Sequence, residues 1–175
     1  MVSSKTSHMA ANPLTALEFR HALGQFATGV TVVTAERAPG QVHGMTANSF
    51  ASVSLDPALI LICVDQAAHL LPMVRVQKRF GVSVLKEDQR AVSEYFAQTE
   101  ENAETEKRLG VRFGWTASGI PVLEDTLVQL GCNVVASYLS GDHTVFIGEV
   151  ETARVYSGEP LLFFRGQYRQ IAPPR

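Results

Sequence analysis

The chain is poor in the residues that most often announce chemistry. Among its 175 residues are two cysteines and one tryptophan. Cys63 and Cys132 lie far apart in the apolar segments LILICV and LGCNVV, with no CxxC and no third thiol. That pattern argues against a cysteine-built metal site and for two buried structural thiols. The five histidines show no HxxxH or HExxH spacing, so no protein-held metal is expected. No GxGxxG is present, which excludes a Rossmann crossover as the means of holding a dinucleotide. Fifteen basic residues face seventeen acidic ones, a formal charge of −2, so no basic field exists to gather nucleic acid. No apolar run approaches the roughly 20 residues that cross a bilayer, and MVSSKTSHMA lacks the apolar middle of a secretory signal. A cytoplasmic protein without a membrane partner is the expectation. The SHM near the start resembles the scar of a cleaved tag, so residues 1–11 are set aside as a tail or tag remnant.

What remains is ordinary in composition and specific in pattern. A hydrophobic fraction of 46% with 18% charged residues suits a folded protein, and residues 12–175 are long enough for one domain with a sizeable core. NPLTALEFRHALGQFATG carries Phe19, Leu23 and Phe26 at helical spacing. It predicts a short helix packed on a sheet, started either by Asn12-Pro13 or by a capping box of Thr15 and Glu18. VTVVTA reads as strand, APGQ as turn, and VHGMTANSFASVSL as two strand pieces around a bend. PALILICVD predicts a buried strand, HLLPMVRVQKR a helix that tolerates Pro72 only in its first turn, and FGVSVL another strand. The stretch 87–109 is rich in helix formers, and its charge run TEENAETEKR is explained most simply as a solvated helical face or a mobile excursion. GVRFGWTASGIP reads as a loop. The last third predicts a hairpin around SGDH and one closing strand. Together these describe a mainly β fold, a small barrel with peripheral helices.

The bend GMTANSFASVSLDP, residues 44–57, is unusually rich in short hydroxyl and amide side chains for a strand region. Such groups and their backbone amides can satisfy the polar edge of a planar ring without filling the space the ring needs. Thr46, Ala47, Asn48 and Ser49 are candidates for that edge. Simple strand alternation would aim Ser52 and Ser54 together at a ribityl chain or phosphate. Composition alone supports a solvent-wetted strand edge equally well.

FATGVTVVTA, GMTANSFASVSLDPALILICVD, RFGVSVL, GDHTVFIGEVE and PLLFFRGQYRQ follow one another as they do in the flavin reductase-like family, which this chain resembles over nearly all of its length after the tail. The resemblance implies an FMN-binding split β-barrel, usually a homodimer. It also implies NADH or NADPH as co-substrate, FMN or FAD as acceptor, and a separate oxygenase that receives reduced flavin. Carried onto matching positions, Thr46 to Ser49 would line the isoalloxazine, with Ser52 and Ser54 toward ribityl and phosphate. Cys63, Val64 and Asp65 would lend backbone contacts near the pyrimidine edge, and Arg79, Phe80 and Gly81 further phosphate and flavin contacts. His143 would meet the nicotinamide beside the flavin. His69 stands where many relatives carry a small hydroxyl residue, and capping the next helix is an alternative role for it.

Hydride transfer between stacked rings asks for little acid-base machinery, which agrees with the absence of Ser-His-Asp, paired-carboxylate and metal signatures. Phe164, Arg165, Tyr168 and Arg169 read as a core-packing strand with solvated arginines or, as the resemblance implies, as a segment near the active site or dimer interface, and Trp115 reads either as core or as packing over the site. A rival reading from another class is a non-catalytic flavin- or haem-binding module on the same barrel. A pyridoxal-type oxidase lacks the basic cluster a second phosphate would need.

Overall fold

The computed structural model describes residues 13–98 and 102–172. The expected N-terminal tail and part of the charge run, residues 99–101, lie outside the described residues.

The chain runs α1 (Ala16–Leu23), β1 (Thr28–Gly29), β2 (Thr31–Ala38), β3 (Gln41–Ala47), β4 (Phe50–Leu55), β5 (Ala58–Asp65), α2 (Leu70–Gln77) and β6 (Arg79–Val84). It continues through α3 (Arg90–Phe96), α4 (Ala103–Leu109), β7 (Phe113–Trp115), β8 (Pro121–Leu123), β9 (Val128–Ser140), β10 (His143–Val155), β11 (Leu162–Phe164) and β12 (Gln167–Arg169). β-Branched residues fill the long strands and short helices sit outside them, so the architecture is mainly β.

Seven strands form one antiparallel sheet in the order β3-β2-β6-β9-β10-β5-β4. Its two edges, β3 and β4, are consecutive in the chain and separated only by Asn48 and Ser49. A flat sheet of this width would hold its edge strands roughly 29 Å apart. Three virtual bonds reach at most about 11 Å. The sheet therefore curls until its edges meet at the bend, forming a barrel left open along one seam. Ile60, Ile62, Val64, Phe80, Val82, Cys132 and Phe146 fill the interior, where Leu70, Leu71 and Val74 of α2 join them. A second cluster of Val30, Val32, Leu85, Val92, Tyr95, Phe96, Leu123 and Leu161 fixes α3 against the outside of the sheet.

Four details differ from the sequence-based expectations. The Thr15–Glu18 capping box starts α1, but α1 buries no residue, and Leu17, Phe19 and Leu23 remain exposed. It does not pack on the sheet of its own chain. GVRFGWTASGIP is no simple loop, because β7 and β8 pair within and just beyond it. The stretch 87–109 carries two helices, α3 and α4, where composition marked only one helix-rich run. The single closing strand is instead β11 and β12, which pair with each other and with β1 in a small separate sheet. Short strands of three residues carry too little alternation to be read from pattern.

Candidate functional site

The seam opens beside a groove of about 400 Å³. One wall is β3, from His43 through Gly44 and Met45 to Thr46; the second is the loop from Asp65 to His69; the third is the end of α3 with Phe96, Ala97 and Gln98. Each wall has a local cause. Asp65 Oδ1 accepts the Ala67 amide at 2.7 Å, an Asx turn that swings the chain from β5 into α2. Gly44 lets Phe96 lie against β3, since a Cβ there would come within 2.7 Å of the Phe96 ring. Thr46 Oγ1 donates to Ser93 O at 2.7 Å, and Ser93 Oγ shares a hydrogen bond of 2.9 Å with Tyr168 Oη. The closing segment therefore holds α3, and α3 holds the groove's β3 wall.

Of the residues named from the sequence, Thr46 and Asp65 line the groove directly. Ser49 and Cys63 meet at the seam: Ser49 Oγ donates to Cys63 O at 2.9 Å, and Cys63 N donates to Ser49 O at 3.3 Å. These bonds spend the Cys63 backbone and the Ser49 hydroxyl proton on shaping the bend. Ala47 and Val64 are buried in the core. Asn48 and Ser52 are exposed and Ser54 is half-buried, and no side-chain hydrogen bond engages any of the three among the described residues. A bulge between Ser52 and Ser54 sets them opposite Ile60 and Leu59, consecutive residues of β5. This breaks the plain alternation that would have aimed both serines one way.

Arg79, Phe80 and Gly81 are not brought to the groove. They lie on β6, a central strand of the sheet, and Phe80 is fully buried. A Cβ on Gly81 would overlap Pro121 O. Arg79 donates to Ser118 O at 3.0 Å and stands 3.9 Å from Glu36.

His143 opens β10 directly across from Asp65, next to the groove's second wall but outside its lining. Its Nδ1 is 2.7 Å from Asp142 Oδ1, and this bond holds the Asp142 carboxyl below its ordinary range. Nε2 is the nitrogen left for a ligand. The loop is tied to the base of the hairpin: Gln66 N donates to Asp142 O at 2.9 Å, and Gln66 Nε2 and Arg75 both donate to Thr144 Oγ1.

Sequence reasoning missed His43 and the end of α3, and it left His69 open. His69 precedes α2 without a capping bond, so the capping role is overturned. It lines the groove instead, its ring 6.1 Å from that of His43. No local pattern marks these residues, because three distant segments converge on them.

A curled antiparallel sheet with a polar bend at its open seam and a mixed groove beside it defines a split-barrel protein. The chain matches the flavin reductase like domain over residues 23–172, and it belongs to that family. It is 43% identical over 160 residues to an NADH-dependent flavin reductase of Rhodococcus, covering 90% of this chain and 88% of that protein. It is 36% identical over 160 residues to the flavin-dependent monooxygenase reductase subunit HsaB of Mycobacterium tuberculosis, covering 90% and 83%. The solved NADH:FAD oxidoreductase SgcE6 of Streptomyces globisporus, in complex with NAD and FAD fragments, superposes with a TM-score of 0.83 at 36% identity, covering 94% of this chain and 98% of that one.

Proposed function

We propose that this protein is an NADH-dependent flavin reductase that passes reduced FMN or FAD to a separate monooxygenase. The observation that carries the reading is the groove at the open seam, with Thr46 on one wall, Asp65 on the next and His143 across the strand pair. Its donor set fits a flavin: Asn48, Ser52 and Ser54 offer side chains with no hydrogen-bond partner among the described residues, and the groove itself is walled by both polar and apolar groups.

Bound flavin supplies the electron-accepting ring to which a nicotinamide gives its hydride, so the protein need only align the two rings. Thr46 and Asp65 would border the flavin, the backbone of Ala47 to Ser49 would meet its polar edge, and one of Ser52 and Ser54, which the bulge turns to different sides of β4, would continue toward the ribityl chain. Asp142 holds His143 by Nδ1, leaving Nε2 to receive the nicotinamide carboxamide. Arg79, Phe80 and Gly81 act from within the sheet by shaping the barrel. NADH is favoured over NADPH because the relatives are named for it. The free thiols and the nucleotide co-substrate fit a cytoplasmic enzyme.

Dimerisation belongs to the same proposal. Leu17, Phe19, Leu23 and Phe26 form an exposed apolar stretch, and the β9–β10 hairpin adds Val135, Tyr138 and Leu139. Surfaces of this kind are covered in stable proteins. A second copy of the chain is the proposed cover.

Purified protein mixed with NADH and FMN or FAD should consume NADH only when flavin is present. No flavin-dependent oxidation with either nucleotide would end this reading and leave the non-catalytic module.

A further inference from the structure

A second cavity, of about 430 Å³, shares no lining residue with the groove at the seam. It lies where β7 and β8 meet the start of β9, the end of β10 and Lys86. Its charges do not cancel. Lys86 pairs with Asp125 at 2.9 Å and Arg112 with Glu124 at 3.1 Å, which leaves Arg154 without an acidic or hydrogen-bonding partner among the described residues. Beside Arg154 stands Trp115, 40% exposed although it is the chain's only tryptophan. Two hydrogen bonds tie the walls together: Tyr156 Oη donates to Gln129 Oε1 at 3.2 Å, and Gln129 Nε2 donates to Leu123 O at 2.9 Å. A narrower recess of about 60 Å³ continues from the cavity, sharing Trp115, Val122, Gln129 and Arg154.

We propose that this cavity binds a small planar aromatic monoanion, of the aromatic carboxylate class. Arg154 is exposed, and its guanidinium, without an acidic partner among the described residues, can take one negative charge through a planar fork that matches a carboxylate. The exposed indole offers a face for a flat ring. The volume lies within the range of small-molecule sites and leaves ample room for a substituted ring. The site serves neither the flavin nor the nicotinamide of the seam.

The test titrates benzoate into the full chain, followed by emission of Trp115 and by calorimetry. Benzoate should shift the emission saturably, bind at least about tenfold more tightly than the uncharged benzamide, and lose about tenfold in affinity in Arg154→Leu. Saturating FMN should leave calorimetric benzoate binding unchanged. The proposal is overturned by an emission that does not saturate, by equal affinity for benzoate and benzamide, by unchanged affinity in Arg154→Leu, or by loss of binding when FMN is added. Unaltered FMN-supported NADH oxidation shows that Arg154→Leu has folded. If it does not fold, the comparison of benzoate with benzamide on the unmodified protein decides whether the site selects a negative charge.

Discussion

His143 and Cys132 show how environment sets what a single side chain does. His143 is half-buried, with Nδ1 engaged by Asp142 and no partner on Nε2 among the described residues. Substituting His143→Ala should lower kcat/KM for NADH by roughly 100-fold while flavin affinity changes little, because the loss is one of ring alignment. Steady-state kinetics together with a flavin titration separate the two, and an unchanged kcat/KM would remove His143 from the mechanism. Burial in the barrel interior pushes the Cys132 thiol from 9.0 up to about 12. Below pH 9 both folded and unfolded chains hold that proton and stability does not respond. Between 9 and about 12 only the unfolded chain releases it, so stability falls as pH rises, by roughly 1.4 kcal/mol per unit. Denaturant unfolding at about pH 8 and about pH 10 should therefore show a steeper loss in the unmodified protein than in Cys132→Ala. Equal losses would contradict the burial of this thiol.

Among the elements, α3 links the closing segment to the groove. Its Ser93 takes Thr46 on its carbonyl and Tyr168 on its hydroxyl, and Arg90 lies over the Tyr168 ring, 5.3 Å from its centre. Tyr168→Phe removes one partly buried hydrogen bond and should cost about 1 kcal/mol in unfolding free energy. Because the same helix carries Phe96, Ala97 and Gln98 into the groove, flavin affinity should weaken several-fold in parallel. Urea denaturation and a flavin titration measure the two effects, and a stability loss with unaltered flavin binding would sever the link from α3 to the site.

For the whole molecule, the exposed apolar side of α1 carries the proposed dimer interface. The helix is well capped yet buries nothing in its own chain, so tertiary contacts within one copy do not account for its apolar residues. Light scattering on the eluting protein should report a dimer, and Leu17→Glu combined with Leu23→Glu should release monomers. A mutant that stays dimeric would place the interface elsewhere.

The strands were readable in the chain because their β-branched runs and turn residues act locally: PALILICVD became β5, and SGDH became the turn between β9 and β10. The bend at Asn48 and Ser49 was equally legible, since the apolar pattern breaks there. Other features depend on long-range geometry. Phe80 and Gly81 stood in a motif that suggested ligand contact, but their place on a central strand puts them in the core. The uncovered α1, the bulge that splits Ser52 from Ser54, and the meeting of His43, His69 and Phe96 carry no signature in the local sequence. Composition and periodicity determine which segments extend or coil and which side chains can hydrogen-bond a ring. Only the curling of seven strands, forced by a two-residue connection between the sheet's edges, decided which of those side chains would face one another across an open seam.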